Sequence, residues 1–229
     1  TLGMVIEKLA GADLKTFTDS VIFKPLAMNA TGYLPHERLD RIVPTEISEL
    51  DSMLVHGFVH DENSHSLGGI TGHAGLFSTA MDLARFAQMM LNKGSLGDTV
   101  IFKPETIELF TRRANMLDEE NSRCLGWDSP HEASSGGVYL SANSFGHTGF
   151  TGTSIWIDPD NQMFVILLTN AVHPKRSYKY PNYFDWRQRV HASVYESLGF
   201  SEITPGLEWR DRWIEEERRR NSLWYKLFH

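Results

Sequence analysis

The chain has 229 residues, 41% of them hydrophobic and 11% aromatic, enough apolar material to bury a core as one sizeable domain or two small ones. Its 22 basic and 29 acidic residues give a formal net charge of −7, spread along the chain, which argues against nucleic acid as the main partner. A single cysteine, Cys124, excludes an internal disulfide and a cysteine-rich zinc site, and the apolar run Met163 to Leu168 falls far short of the roughly 20 residues that span a bilayer.

The opening TLGMVIEKLAG reads at once as an amphipathic helix, with Leu2, Val5, Ile6 and Leu9 on one face and Gly11 as its stop. It carries no initiator methionine and no charged leader, so residue 1 reads as a cut through a larger protein. Asp13 caps a second helix with Leu14, Phe17, Val21 and Ile22 as its buried stripe, ended by Pro25. From Thr31 to Gly75 periodicity fades and Pro, Gly, His and acidic residues dominate, a length of loop that carries function or covers a site.

Ser78 or Thr79 then opens a well-marked helix, because Asp82 completes a capping-box-like start and Leu83, Phe86, Ala87, Met90 and Leu91 recur at helical spacing before Gly94. Pro104 begins a further helix through Phe110, and CLGWD and GVYL are brief candidate strands. Thr153 to Asp158 and Gln162 to Thr169, rich in β-branched and aromatic residues, flank the turn DPDN and predict an antiparallel hairpin. A helix from about Asp185 to Leu198, with Trp186, Val190, Val194 and Leu198 toward the core, covers one face of that sheet. The expected class is α/β of the α+β kind, an antiparallel sheet flanked by helices. Residues 201–229 form an amphipathic tail bearing tryptophans, in which Arg218 to Arg220 follow Glu215 to Glu217 as a solvated helix face.

The chemistry concentrates in SFGHTGFTGTSIWIDPDNQMFVILLTN. His147 and Thr148 on a strand leading into the hairpin can aim an imidazole and a hydroxyl into a cleft, and Gly149 lets a substrate approach the backbone. An edge strand of this kind suits main-chain recognition of an acyl group or peptide.

Taken together with LGMVIEKLAGADLKTFTDSVIFKPLAMNATGY and GHAGLFSTAMDLARFAQMMLNKG, this stretch resembles the serine β-lactamase and penicillin-binding-protein superfamily, in particular its class C-like branch of carboxypeptidases and esterases. The resemblance spans roughly residues 1 to 200, as the C-terminal part of a β-lactamase-like serine hydrolase domain, and leaves 201–229 outside it. It implies a nucleophilic serine in S-x-x-K, a Y-x-N element and a K-T-G-like strand. HTG takes the place of the third. No serine here is followed three residues later by lysine, and Tyr180-Pro-Asn182 comes after the HTG strand, as a loop. Ser141 to Asn143 reads as a strand-entry turn. The nucleophile is therefore expected upstream of Thr1, from the remainder of the same polypeptide or a complementary chain, and the chain alone is expected to be inactive.

The resemblance further implies that His147 and Thr148 form the electrostatic wall of an acylation site, that Phe150 N–H is an oxyanion donor, and that Gly149, His60 and Asp61 border the substrate. Histidine in place of lysine is not a permanent cation at neutral pH, which favours esterase or peptidase over classical β-lactamase activity. The implied substrate is a small peptide, amide or ester, with cell-wall fragments among the peptides it includes, with no metal or cofactor and a bacterial envelope or periplasmic location. Two other readings stand beside this one. A non-catalytic binding module would keep the cleft, and a zinc-dependent hydrolase would use His56, His60, Asp61 and His65, although their spacing matches no standard zinc motif. His73 in GHAG is expected to anchor the loop before the Ser78 helix.

Overall fold

The computed structural model describes residues 1–49, 51–114, 123–130, 135–179, 183–200 and 219, with the side chains of 183–185 left aside. The predicted tail, Arg219 apart, and Tyr180 to Asn182 lie outside these residues. The chain divides into two compact units, one formed by Thr1–Glu108, Gly149–Thr153 and Ile166–Tyr183, the other by Leu109–Thr148, Ser154–Val165 and Phe184–His229.

In the first unit α1 (Leu2–Ala10) ends at Gly11 in the left-handed conformation, as its sequence predicts. Its inward residue is Gly3, against the backbone of Gly72, whereas Leu2, Val5 and Leu9 are exposed. Asp13 caps α2 (Leu14–Thr18), accepting from Thr16 N at 2.9 Å. The helix then widens into a π turn, Asp19–Phe23, in which Lys24 N bonds Asp19 O and Met28 N bonds Phe23 O. That widening rotates the expected stripe, so that Leu14, Phe23 and Leu26 are buried and Val21 is left exposed.

The long irregular stretch holds only short elements: β1 (Gly32–Tyr33), a 3-10 turn (His36–Arg41) and α3 (Glu62–Ser66), with β1 antiparallel to β2 (Leu76–Phe77). Helix α4 (Ala80–Leu91) follows the predicted pattern, capped by Thr79. Its Asp82 is buried and reaches back to accept from Ala30 N and Thr31 Oγ1, tying the helix start to the preceding loop. A small hairpin of β3 (Ser95–Leu96) and β4 (Thr99–Val100) leads to α5 (Pro104–Thr111), along which the chain passes to the second unit.

The second unit is built on the three-stranded sheet of β5 (Phe145–Thr148), β6 (Ser154–Asp158) and β7 (Met163–Leu167), with β6 in the middle. The predicted hairpin is present. CLGWD is not a strand but a loop with the isolated bridges Arg123↔Asp128 and Asp128↔Gly146, and GVYL is not part of any strand among the described residues, its Val138 and Leu140 being buried. Cys124, Val138 and Leu140 are apolar because they are covered, not because they extend a ladder, whereas Leu125 is exposed.

Helix α6 (Tyr183–Ser197) packs on the sheet through a face rotated from the expected one, which keeps Val194 against the core but turns Trp186 and Leu198 away. Arg187, His191, Ala192 and Tyr195 are buried, while Trp186 is 64% exposed and Leu198 is also outside. Polar partners across the unit draw that face in: Tyr195 Oη donates to Asp158 Oδ2 at 2.8 Å, and His191 Nε2 meets Ser154 Oγ at 2.9 Å. Leu140, Trp156, Val165 and Tyr195 form the core, each large side chain stabilising it by about 1.5–3 kcal/mol on area grounds. Cys124 is a buried thiol against Thr111 O, and that burial pushes its pKa up, disfavouring the thiolate.

Candidate active site

Strand β5 lies at the edge of its sheet and pairs His147 with Ile155 and Thr148 with Ser154. Gly146 permits this register, because a Cβ there would strike Ile155 O and the Trp156 indole. Phe145 is buried, edge-on to Trp127 at 5.4 Å, while His147, two residues on along the same face, lies beyond that cover and is exposed. His147 Nδ1 stands 2.8 Å from Thr148 O. A carbonyl only accepts, so Nδ1 carries the hydrogen, and Nε2 presents a lone pair when the ring is neutral and an N–H only when it is protonated.

Immediately after Thr148 the chain forms the turn Gly149–Thr153. Gly149 N donates to Thr153 O, Gly152 N to Gly149 O, Lys179 Nζ to Phe150 O, Ala171 N to Thr151 O and Thr169 Oγ1 to Gly152 O. Five successive carbonyls are thus taken. Among the described residues the amides of Phe150 and Thr151 meet no acceptor, so the turn offers donors outward. Glycine is required at 149 because the space of a Cβ is filled by Thr153 Oγ1, a reason internal to the turn.

The Phe150 side chain is half-exposed and surrounded by polar groups of the first unit. His60 stacks on it at 5.5 Å and 23°, Lys179 Nζ lies 4.0 Å from the ring centroid, and the Arg176 guanidinium lies 5.8 Å away. Behind them Glu46 is buried and receives Arg176 through Nε at 3.0 Å and Nη2 at 2.8 Å, while the same Nη2 reaches Glu62 at 2.6 Å. His60 Nε2 is 3.1 Å from Glu46 Oε2 but does not aim its hydrogen at it, so Arg176 does most of the holding. Burial would raise the Glu46 pKa; the Arg176 bonds and the nearby His60 outweigh it and hold the carboxyl below its ordinary range. The same two carboxylates keep Arg176 firmly protonated.

His60 and Phe150 are therefore brought together. Asp61, one residue on, serves as the cap of α3, accepting from Ser64 N at 2.7 Å and pairing with His73 at 3.1 Å; the Ser64 amide, ahead of His73, lowers its pKa. His73 anchors its loop in this way. The zinc arrangement does not assemble: His56 Nε2 bonds Ile42 O, His60 faces Glu46 and His65 lies beside Phe58, and among the described residues no three such ligands converge. Backbone turns within 56–65 fan these side chains apart, which spacing alone does not reveal.

Sequence reasoning missed Glu46, Arg176 and Lys179. Arg176 meets Glu46 across 130 positions, and nothing near either residue marks the pairing. The one usable signal was the placement of a basic R-x-x-K pair just after the hairpin.

Among curated proteins, the chain is 33% identical over 204 residues to a protein named "Putative D-alanyl-D-alanine carboxypeptidase" from Escherichia coli, a match covering 80% of this chain and 46% of that protein. The chain thus spans about half the length of the curated relatives it matches. Among solved structures, simvastatin synthase from Aspergillus terreus superimposes with a TM-score of 0.60 at 19% identity, over 85% of this chain and 53% of the other. A β-lactamase from Mycobacterium bovis gives 0.57 at 18% identity, over 86% and 60% respectively. At these identities the two structures establish the fold alone: the helices and antiparallel strands form part of a β-lactamase/transpeptidase-like architecture. The HTG edge strand, the hairpin behind it and the α4 segment all fall within residues 1–189, which match the Beta-lactamase family, and the chain belongs to that family.

Proposed function

We propose that the complete protein is a serine hydrolase that forms and then hydrolyses an acyl-enzyme on a peptide, amide or ester. The serine and its lysine come from an S-x-x-K segment outside these 229 residues. The observation that carries this reading is the turn after HTG: its five carbonyls are all engaged, and the Phe150 amide is left as a donor suited to a developing oxyanion. His147, protonated on Nδ1 by its bond to Thr148 O, adds a charge-assisted donor at Nε2 when it takes up a second proton. Thr148 supplies a hydroxyl on the same strand.

The name of the Escherichia coli relative makes peptides ending in D-alanyl-D-alanine the first substrates to test beside simple esters, and an envelope location accords with such a substrate. Among the described residues no helix is long and apolar enough to cross a membrane.

The experiment is to express the complete protein, react it with a fluorophosphonate, and map the modified residue by peptide mass spectrometry. Modification at the serine of S-x-x-K, abolished by Ser→Ala there, is the expected result. A complete sequence without S-x-x-K, or a folded protein that neither labels nor cleaves ester and D-alanyl peptide, would sink the proposal.

A further inference from the structure

The turn bearing the Phe150 amide is gripped by a lysine that belongs to no motif. Lys179 closes the 3-10 turn Arg176–Lys179 and is 4% exposed. Its Nζ donates to Phe150 O at 2.8 Å and also stands 4.0 Å from the Phe150 ring centroid. Burying an ammonium is costly, and this one meets both the carbonyl and the ring face of a single residue.

The geometry has a consequence for the donor peptide. Phe150 O belongs to the peptide plane that carries the Thr151 amide, so holding that oxygen fixes ψ at Phe150. The Phe150 N–H lies in the preceding peptide plane, whose Gly149 O accepts from Gly152 N at 3.1 Å, so the two bonds hold the planes on both sides of Phe150 and orient the Phe150 and Thr151 N–H groups. Neutral donors suffice for the adjoining carbonyls: Ala171 N holds Thr151 O at 2.7 Å and Thr169 Oγ1 holds Gly152 O at 2.8 Å. A positive charge at the Phe150 carbonyl adds something those lack, a field beside the donor peptide that favours negative charge.

We propose that Lys179 is a positioning residue of the acylation site, acting through the Phe150 carbonyl and ring to hold in place the residue whose amide donates to the oxyanion and to bias its surroundings toward negative charge. This inference rests on the serine-hydrolase reading above.

The test compares wild type, Lys179→Met and Lys179→Gln in the complete protein, with rates expressed per site titrated by fluorophosphonate so that misfolded molecules do not count. Lys179→Met, which keeps the length of the side chain and loses the ammonium, should lower kcat by on the order of tenfold with KM within about twofold. Affinity for an aryl boronic acid, which adds to the serine as a tetrahedral anion, should fall by the same factor, as a purely structural role would not require. Lys179→Gln, which keeps an N–H donor without the charge, should lose about threefold. Hydrogen exchange in the peptide covering 149–153 should quicken in Lys179→Met. Unchanged kcat and boronate affinity per titrated site in the Met variant, or in the Gln variant if Met yields no folded protein, would overturn the proposal. A wild type that never labels would defeat the hydrolase reading instead, and the exchange rates would still decide whether Lys179 holds the turn.

Discussion

Replacing His191 with glutamine should flatten the acid side of this protein's stability curve. His191 is completely buried on α6, with Nε2 against Ser154 Oγ at 2.9 Å and Nδ1 without a partner. Burial, and after it the Arg187 charge, pushes its pKa from 6.5 down to about 4. Above 6.5 the ring is neutral whether the protein is folded or not, and stability does not depend on it. As pH falls from 6.5 toward about 4, the unfolded chain takes up a proton that the folded protein refuses, so the unfolded state gains. At about 1.4 kcal/mol for each pH unit, the full window amounts to about 3 kcal/mol, with about 2 kcal/mol already lost by about pH 5. Urea unfolding followed by tryptophan fluorescence measures it, since Trp156 is buried in the same core. Between about pH 7 and about pH 5 the wild-type midpoint should fall, and the difference between wild type and His191→Gln should shrink by about 2 kcal/mol. Curves that run parallel across that range would refute the idea that His191 is held neutral.

If the complete protein is the serine hydrolase proposed above, His147→Ala should lower kcat/KM by on the order of 10²-fold while leaving the urea midpoint nearly unchanged, and His147→Lys should retain activity to higher pH than wild type, as read from a pH-rate comparison on a small ester. Asp158 is buried and accepts from Ser141, Asn161 and Tyr195; burial would raise its pKa but these bonds outweigh it, so its stabilising contribution is present above the ordinary carboxylate range and lost on acidification below that range. Asp158→Ala should therefore cost about 3 kcal/mol at neutral pH, measured by urea unfolding, because buried hydroxyls lose their acceptor. Glu46→Gln should cost about 1–3 kcal/mol by weakening the bidentate Arg176 contact, and should reduce activity on the ester through the Phe150 cluster. Treatment with EDTA should leave the activity of the complete protein unchanged; loss on chelation and recovery with zinc would reopen the histidine-cluster reading.

What the sequence determined by itself was local. The Thr79 cap and the 3.6-residue recurrence behind it specify α4, because each contact involved lies within a few positions. The richness in β-branched and aromatic residues on either side of DPDN specifies the β6–β7 hairpin for the same reason. The order of those pieces also carried the family. Tertiary structure alone decided which face of α6 turns inward, since Arg187, His191 and Tyr195 are buried for the sake of partners such as Ser154 and Asp158, 37 positions away. It decided too that Lys179 and Arg176 would gather at Phe150 and that Glu46 would lie beneath them, while His56 and His65 went elsewhere. Periodicity records which side chains prefer to leave water. It does not record which buried charge or carbonyl is waiting for a particular donor, because that preference exists only once distant segments have been folded side by side.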